Sequence, residues 1–398
     1  MSSEIPRQIE RAGFALPAGS RRLAWGGLGL AVLGLAALGT LGADRARIWA
    51  DLLVDDVFFL SLALAGALFL AIQYLSRAGW WVAIRRVPEA MMACVPLAGG
   101  LILALYFGLP DLYPWARPAA VARDPLLAGK SGYLNPGGFA ARAFLFVALW
   151  SLLAFLLRRA SIAQDRAPDL AHHRRLVRLS AAFILVFAVS FSLASFEWLM
   201  SLDPHWYSTI FAVYTFAGLL LAGIAAITVA VVLLAGRGPL AGLVNASHLH
   251  DLGKLLFAFS IFWAYIWVSQ YLLIWYSNIP EEVTFYAARL AGGFRLPFFL
   301  VLAMEWIVPF VVLMPRAAKR NPKVLLGVSA LILGGHWLDL YLLVAPPVLA
   351  GMRLGLTEVL LAAGYGAIFL FVAARALARA PLLPRNDPFF AESLRHHQ

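Results

Sequence analysis

Long apolar stretches alternate with short polar ones along almost the whole of this 398-residue chain. A helix that crosses a bilayer needs about 20 mostly apolar residues. Ten stretches meet that test: 23–41, 57–75, 91–109, 141–157, 177–200, 207–235, 254–276, 296–314, 324–345 and 355–377. The third holds Pro96 and the pair Gly99-Gly100, and the tenth opens on Thr357-Glu358. Pro and Gly are tolerated in membrane helices because neighbours re-satisfy the freed backbone groups. The expected organisation is an N-terminal segment 1–22, a membrane domain 23–377 of ten helices and a C-terminal tail 378–398. No polar stretch is long enough for a separate soluble domain. The start, MSSEIPRQIERAGFALPAGSRR, is too polar for a signal peptide, so the first span is expected to be retained.

Composition agrees with an all-α integral membrane protein: 62% of residues are hydrophobic and 13% charged, where soluble domains carry about 25% charged residues. A net charge of +11 would point a soluble protein toward nucleic acid. Here the basic residues sit between apolar spans, so the partner is the lipid bilayer and no nucleic acid is expected. With the N-terminus inside, the inner segments hold 21 Lys and Arg, among them Arg7, Arg11, Arg85, Arg86, Arg237 and Arg385. The outer segments hold 8: Arg45, Arg47, Arg117, Arg123, Lys130, Arg289, Arg295 and Arg353. Basic loops stay on the cytoplasmic side, which places both termini in the cytoplasm.

Several ionisable residues fall inside or at the lip of these spans, where they are costly and by default functional. Glu305 lies near the middle of the eighth span. His336 and Asp339, at i and i+3 in the ninth, are neighbours on one helix face. A charge at the bilayer centre costs about 2.5–3.5 kcal/mol on insertion scales, so three such groups at similar depth are hard to explain as packing. A buried carboxyl that exchanges its proton is a relay, and a proton path is the sharper reading. In the fifth span Ser190, Ala194, Glu197 and Ser201 form one stripe; in the seventh Ser260, Trp263, Trp267 and Gln270 share a face. Glu358 sits near the outer lip of the tenth span, seven residues before Tyr365. Glu197 and Glu358 have a plainer reading too, in which an indole, a carbonyl or an arginine holds them and they only fix helix packing.

At the inner end, His248, His250, Asp251 and Lys254 precede the seventh span. Two histidines two apart on a helix point to different sides, so no metal site is expected; Asp251 reads as a solvated residue near a helix N-terminus, placed where a proton entrance would be. Trp267, Tyr271 and their aromatic neighbours fit an interfacial belt and core packing, or the wall around a flat ring ligand. Two outer loops are candidate docking surfaces: 110–138, with five prolines and Tyr113, Trp115 and Tyr133, and 277–295, with Glu281-Glu282. Cys94 is the single cysteine, which excludes a disulfide framework, a CxxCH haem attachment and a cysteine-ligated cluster within the chain. His336 is the one histidine well inside a span, so bis-histidine haem is not expected, and any redox cofactor would come from partners.

Two stretches carry a resemblance. SFEWLMSLDPHWYSTIFAVYTFAG (195–218) and HDLGKLLFAFSIFWAYIWVSQYLLIWYSNIPEE (250–282) resemble the signatures of the ActF-type membrane subunit of alternative complex III, in the NrfD-like family. The resemblance is specific in the middle of the chain and weak in the first four spans. It implies a pair of four-helix bundles plus extra helices, in a respiratory quinol:cytochrome c (or other periplasmic acceptor) oxidoreductase. It also implies partners: a paralogous quinol-binding membrane subunit, an iron–sulfur subunit, c-type cytochrome subunits and small membrane subunits. Haem c and iron–sulfur clusters would belong to those partners, and this chain would be non-catalytic alone. Carried over, Glu197, Asp203 and His205 become candidates for an outer proton exit, and Asp251 and Lys254 for the inner end. Glu305, His336 and Asp339 rest on their burial alone.

The leading expectation is therefore a membrane subunit of a quinol-oxidising complex that supports proton transfer and anchors redox subunits. A second has the chain bind quinol itself, with Glu197, His205, Trp267, Gln270 and Tyr271 as the candidate contacts. A passive scaffold and a secondary transporter are further classes. The paired broken helices often seen in transporters are not evident here.

Overall fold

The computed structural model describes residues 15, 19–40, 45–167, 169–236, 238–384 and 386–397. Most of the segment 1–22, and with it Arg7 and Arg11, lies outside the described residues, as do Arg237 and Arg385. Among the described residues the chain is helical without strands, and nine helices are long and apolar enough to cross a membrane. They are α2 (Arg45–Leu75), α3 (Arg86–Leu112), α4 (Pro136–Gln164), α5 (Leu170–Leu202), α6 (Phe211–Gly236), α7 (Ala246–Ser277), α9 (Arg295–Leu313), α10 (Pro322–Val348) and α11 (Leu356–Ala378). The remaining expected span, 23–41, forms α1 (Ser20–Thr40). The shorter helices include α8 (Pro280–Leu290) and α12 (Phe390–Leu394).

Local chemistry fixes the helix starts. Asn135, Asp169, Asn245 and Asn321 each accept a hydrogen bond from a backbone N–H of the first turn, and Pro136 and Pro322 follow two of them at the first helical position. Two helices begin well before their apolar runs: α2 at Arg45 rather than 57, and α7 at Ala246 rather than 254. In both cases the extra turns carry acids or histidines that lower hydropathy, yet Asp51, Asp55, Asp56, His248 and Asp251 are buried. The outer loop 277–295 is also more ordered than expected, because α8 lays Phe285, Tyr286 and Arg289 against the bundle.

Helices α2, α3, α4 and α5 pack in a closed ring, each on the next and α5 back on α2; α6, α7, α9 and α10 form a second ring in the same way. The rings join where α2 meets α6 and α10. Consequently the apolar window of α2 is 94% buried inside the protein, against 28% for the peripheral α11. Small residues allow the tightest crossings. A Cβ on Gly364 of α11 would lie 2.6 Å from the Ala31 backbone N of α1, and one on Gly223 of α6 would lie 2.1 Å from the Ala65 Cβ of α2.

One end of the molecule is tied together by the C-terminal tail. Leu382 and Leu383 pack with Leu240 and Leu243, Ser393 Oγ bridges the Ala83 N–H and the Trp80 carbonyl, and Asn245 donates to the His396 carbonyl at 2.8 Å. Beneath the tail, Arg85 donates to Asp387 Oδ2 at 2.6 Å, Tyr74 Oη at 2.9 Å and Gln164 Oε1 at 3.0 Å. Arg86 pairs with Glu89 and Asp165. Arg85 and Arg86 are thus buried and ion-paired, not the solvated loop cations of the sequence reading. At the opposite end Arg47 is part-buried and paired with Glu358, and Arg289 is buried against backbone carbonyls, so these four contribute less to the basic asymmetry than a residue count implies.

Removing one partner of a buried ion pair strands the other charge at a cost of about 3–5 kcal/mol. Asp387→Ala should therefore lower the thermal unfolding midpoint of the detergent-purified protein by several degrees. An unchanged midpoint would contradict a docked tail.

Candidate functional site

Helix α9 does not run through the membrane as a regular α-helix. Residues Ala303–Ile307 form a wider π turn, and Pro309 follows two residues later. Proline has no N–H, and its ring crowds the carbonyl four residues earlier, which here belongs to Glu305. The wide turn relieves that conflict. Such turns are frequent at functional sites, and this one carries the carboxylate. The Glu305 side chain is fully buried, and neither carboxylate oxygen has a hydrogen-bond partner. Its stem lies against α10 at Gly335, where a Cβ would come within 3.0 Å of Glu305 Cγ.

His336, the next residue of α10, brings Nδ1 to 3.7 Å from Glu305 Oε1. Neither ring nitrogen makes a hydrogen bond. Space for the imidazole comes from α6: a Cβ on Gly218 would lie 2.8 Å from His336 Cε1. The other flank of the ring faces a cavity of about 20 Å³ lined by Ser61, Ser195, Thr215 and apolar side chains, about the room one water molecule needs. Ser195 and Thr215 are themselves hydrogen-bonded at 2.9 Å.

Asp339, one turn further along α10, accepts a hydrogen bond from the Tyr214 hydroxyl of α6. It lines a second cavity of about 20 Å³ with Tyr214, Trp267, Gln270, Tyr286 and Arg289. Arg289, at the end of α8, is buried above it. Its guanidinium stacks on the Phe285 ring at 3.3 Å and donates to the carbonyls of Phe285 at 2.7 Å and Leu343 at 3.3 Å. Burial pushes the Arg289 pKa down to about 10, with nearby Tyr214, Tyr286 and Asp339 opposing that shift; the group remains a cation at neutral pH.

A second column of acids descends α2. Asp51, Asp55 and Asp56 are all buried. At its outer end Arg47 grips Glu358 Oε1 through Nε at 3.0 Å and Nη2 at 2.5 Å, with Asp51 Oδ2 4.0 Å away. Deeper down, Trp337 of α10 donates its indole N–H to Asp55 Oδ1 at 2.7 Å, and Tyr365 of α11 hydrogen-bonds Asp56. Adjacent residues of α10 therefore serve both columns, His336 on the Glu305 side and Trp337 on the Asp55 side.

The other expected site residues lie apart from this centre. Glu197 pairs with Arg142 of α4 and lines an outer cleft of about 260 Å³ with Lys130, Tyr133, Trp206 and Tyr207. His205 Nε2 lies 2.7 Å from Asp124 Oδ2 on the surface. Against desolvation, the Leu126 and Leu127 amides and the His205 ring hold the Asp124 carboxyl below its usual range. Asp203 lines a cavity of about 30 Å³ whose opposite wall includes Arg289. At the tail end, Asp251 is buried, not solvated: it pairs with Lys254 and with His396 of the tail, each at 2.5 Å. Among the proposed ring-ligand contacts, Trp267 stacks on Tyr271 with centroids 5.8 Å apart, and Gln270 shares the Asp339 cavity. Glu197 and His205 are not in that cavity.

No protein-family model matches this chain, and no curated protein matches it. The site therefore has to be read from its own geometry. Among the described residues no three His, Cys, Asp or Glu side chains converge as a metal-ligand set. What the centre offers is buried acids, a histidine and tyrosine hydroxyls, in short hydrogen bonds or beside water-sized spaces, which is the equipment of proton exchange.

Sequence reasoning missed Asp51, Asp55 and Asp56 because they read as a polar gap before the span at 57. The available signal was the lack of any Gly or Pro between 45 and 57. Tyr214, Gly218 and Arg142 carried no signal of their own, since their importance lies in what they touch.

The fit of His336 over Gly218 is testable. Overpacking a core typically costs about 1–3 kcal/mol, and Gly218→Ala should show such a loss in thermal unfolding. In a His336→Ala background the penalty should largely vanish, because the coupling belongs to the pair. An equal penalty in both backgrounds would place the ring elsewhere.

Proposed function

We propose that this chain is a membrane subunit of a respiratory quinol-oxidising assembly, of the ActF type in alternative complex III, and that it supports proton transfer across a bacterial cytoplasmic membrane. The observation that carries the proton role is the Glu305–His336 pair. Two ionisable groups face each other at 3.7 Å in the helical interior, on a π turn, with no other hydrogen-bond partner. A pair held only for packing would be expected to find donors, since buried polar groups in folded proteins almost always do. Spare hydrogen-bonding capacity beside a water-sized cavity suits a group that receives and releases a proton.

In this reading Asp339 and Tyr214 lead from the pair toward the outer face. On the other side, Ser329 of α10, buried seven residues before His336, leads toward the cytoplasmic tail face with Asp251, Lys254 and His396. The redox chemistry belongs to the partners implied by the resemblance: the paralogous quinol-binding subunit, the iron–sulfur subunit and the c-type cytochromes. The two rings, with α1 and α11 beside them, supply the rigid body on which these dock. Quinol binding by this chain is the weaker alternative at the seventh-span aromatics. The cavity beside Trp267 and Gln270 measures about 20 Å³, far below the roughly 300–1,000 Å³ of usual ligand pockets.

Purification in mild detergent through an N-terminal tag, which leaves the docked tail undisturbed, should bring down c-type haem absorbance and a large iron–sulfur subunit. A colourless chain running alone, from cells expressing the complex, would support a transporter instead. In the reconstituted assembly, Glu305→Gln and Asp339→Asn should slow coupled proton movement on the order of tenfold or more while subunit composition is kept. Normal proton-to-electron ratios in both variants would leave the scaffold role.

A further inference from the structure

The step from Asp339 to the outer face is occupied by Arg289. This residue is 5% exposed, and among the described residues no carboxylate lies within ion-pair distance of it. Its donors go to two backbone carbonyls, and its Nε has no partner. A buried guanidinium without a direct counter-ion is an expensive arrangement, and helix packing alone does not call for one. Its position is informative. Arg289 is shared by the two small cavities of this region, the one lined by Asp339, Tyr214 and Gln270 and the one lined by Asp203 and Trp206. It is the cation at the partition between them.

Helix α8 fixes it there. Trp206 stacks on Phe285 with centroids 4.1 Å apart and donates its indole N–H to the Glu282 carbonyl at 3.2 Å. Tyr286 meets Tyr271 of α7 edge-on at 5.1 Å. The helix closes the outer mouth of the second ring, and its last turn points the guanidinium inward.

We propose that Arg289 is the electrostatic barrier of the outer half-path, a positioning residue whose fixed charge suppresses passive proton leak between the outer face and Asp339. The inference rests on the proton-transfer reading and adds a control on leak to it. A positive charge in a low-dielectric partition repels a second one strongly, so the guanidinium raises the barrier to a hydrated proton in either direction. A proton leaving Asp339 does so with the assembly's turnover behind it, and passive return has no such drive.

The test uses the whole assembly reconstituted into vesicles with an internal pH-sensitive dye and a potassium diffusion potential imposed with valinomycin. Wild-type vesicles stay tight. Arg289→Gln should raise passive proton leak on the order of tenfold, Arg289→Lys should remain tight, and adding Asp339→Asn to Arg289→Gln should seal the leak. Arg289→Met is measured alongside, so that misassembly of one neutral variant leaves the other to read. Tight vesicles with the neutral variants, or a leak that Asp339→Asn fails to close, would overturn the barrier. Turnover-driven proton movement in the same vesicles separates the two ideas. If Asp339→Asn alone slows it while the neutral Arg289 variants stay tight, the barrier fails and the path stands. If Asp339→Asn and Glu305→Gln leave it unchanged, the path itself fails.

Discussion

An ionisable side chain in an apolar interior must be answered by another polar group within reach, and that requirement shapes this protein more than any single helix. The answers come across helix boundaries: Arg47 of α2 with Glu358 of α11, Trp337 of α10 with Asp55 of α2, Tyr214 of α6 with Asp339 of α10, Arg142 of α4 with Glu197 of α5. Lipid supplies little driving force for helix association, because its tails are as apolar as the helices. Close approach at small residues and these cross-helix bonds are what remains to set register. Gly218, Gly223, Gly335 and Gly364 sit at such approaches. The polar residues therefore build the fold and the site together, and a given acid has to be assigned to one role or the other by what its oxygens touch.

The architecture was largely legible in the sequence. Apolar runs located every long helix, because twenty apolar residues have little choice of structure in a bilayer. The buried stripes of α5 and α7 followed from helical period. The ends were less legible. Hydropathy penalises an acid whether or not it is paired, so Asp51, Asp55 and Asp56 shortened the apparent second span by three turns, and His248 and Asp251 did the same to the seventh. Arg85, Arg86 and Arg289 were read as loop charges for the same reason. Helical periodicity could not supply the ring arrangement, since a helix pattern shows that a face is buried and not which helix covers it; a pair of four-helix bundles was expected from the resemblance alone.

The centre of the site was half legible. Depth alone singled out Glu305, His336 and Asp339, and the structure places all three on neighbouring turns of α9 and α10. The π turn was readable in principle, because Pro309 removes the donor that would have met the Glu305 carbonyl. Tyr214 and Gly218 were not, although both lie within the stretch 195–218. A tyrosine that donates to a buried acid and one that packs in a belt have the same neighbours in sequence. The resemblance to the ActF-type subunit likewise pointed at that stretch as a whole without separating its residues.

The two rings share a plan but differ in how their polar groups are settled, and the difference bears on which ring would move protons. In the first ring the stripe on α5 is tied off: Trp150 donates to Ser190 and Trp115 to Ser201, at 2.8 and 2.9 Å, and Arg142 holds Glu197. A group so bonded has to break a hydrogen bond before it can exchange a proton. In the second ring Glu305 and both nitrogens of His336 make none, and Arg289 shares a cavity with Asp339 without a carboxylate partner. Keeping groups in that state costs stability. The cost falls on the ring whose helix α9 also holds a π turn, so unmet hydrogen-bonding capacity and backbone irregularity coincide there.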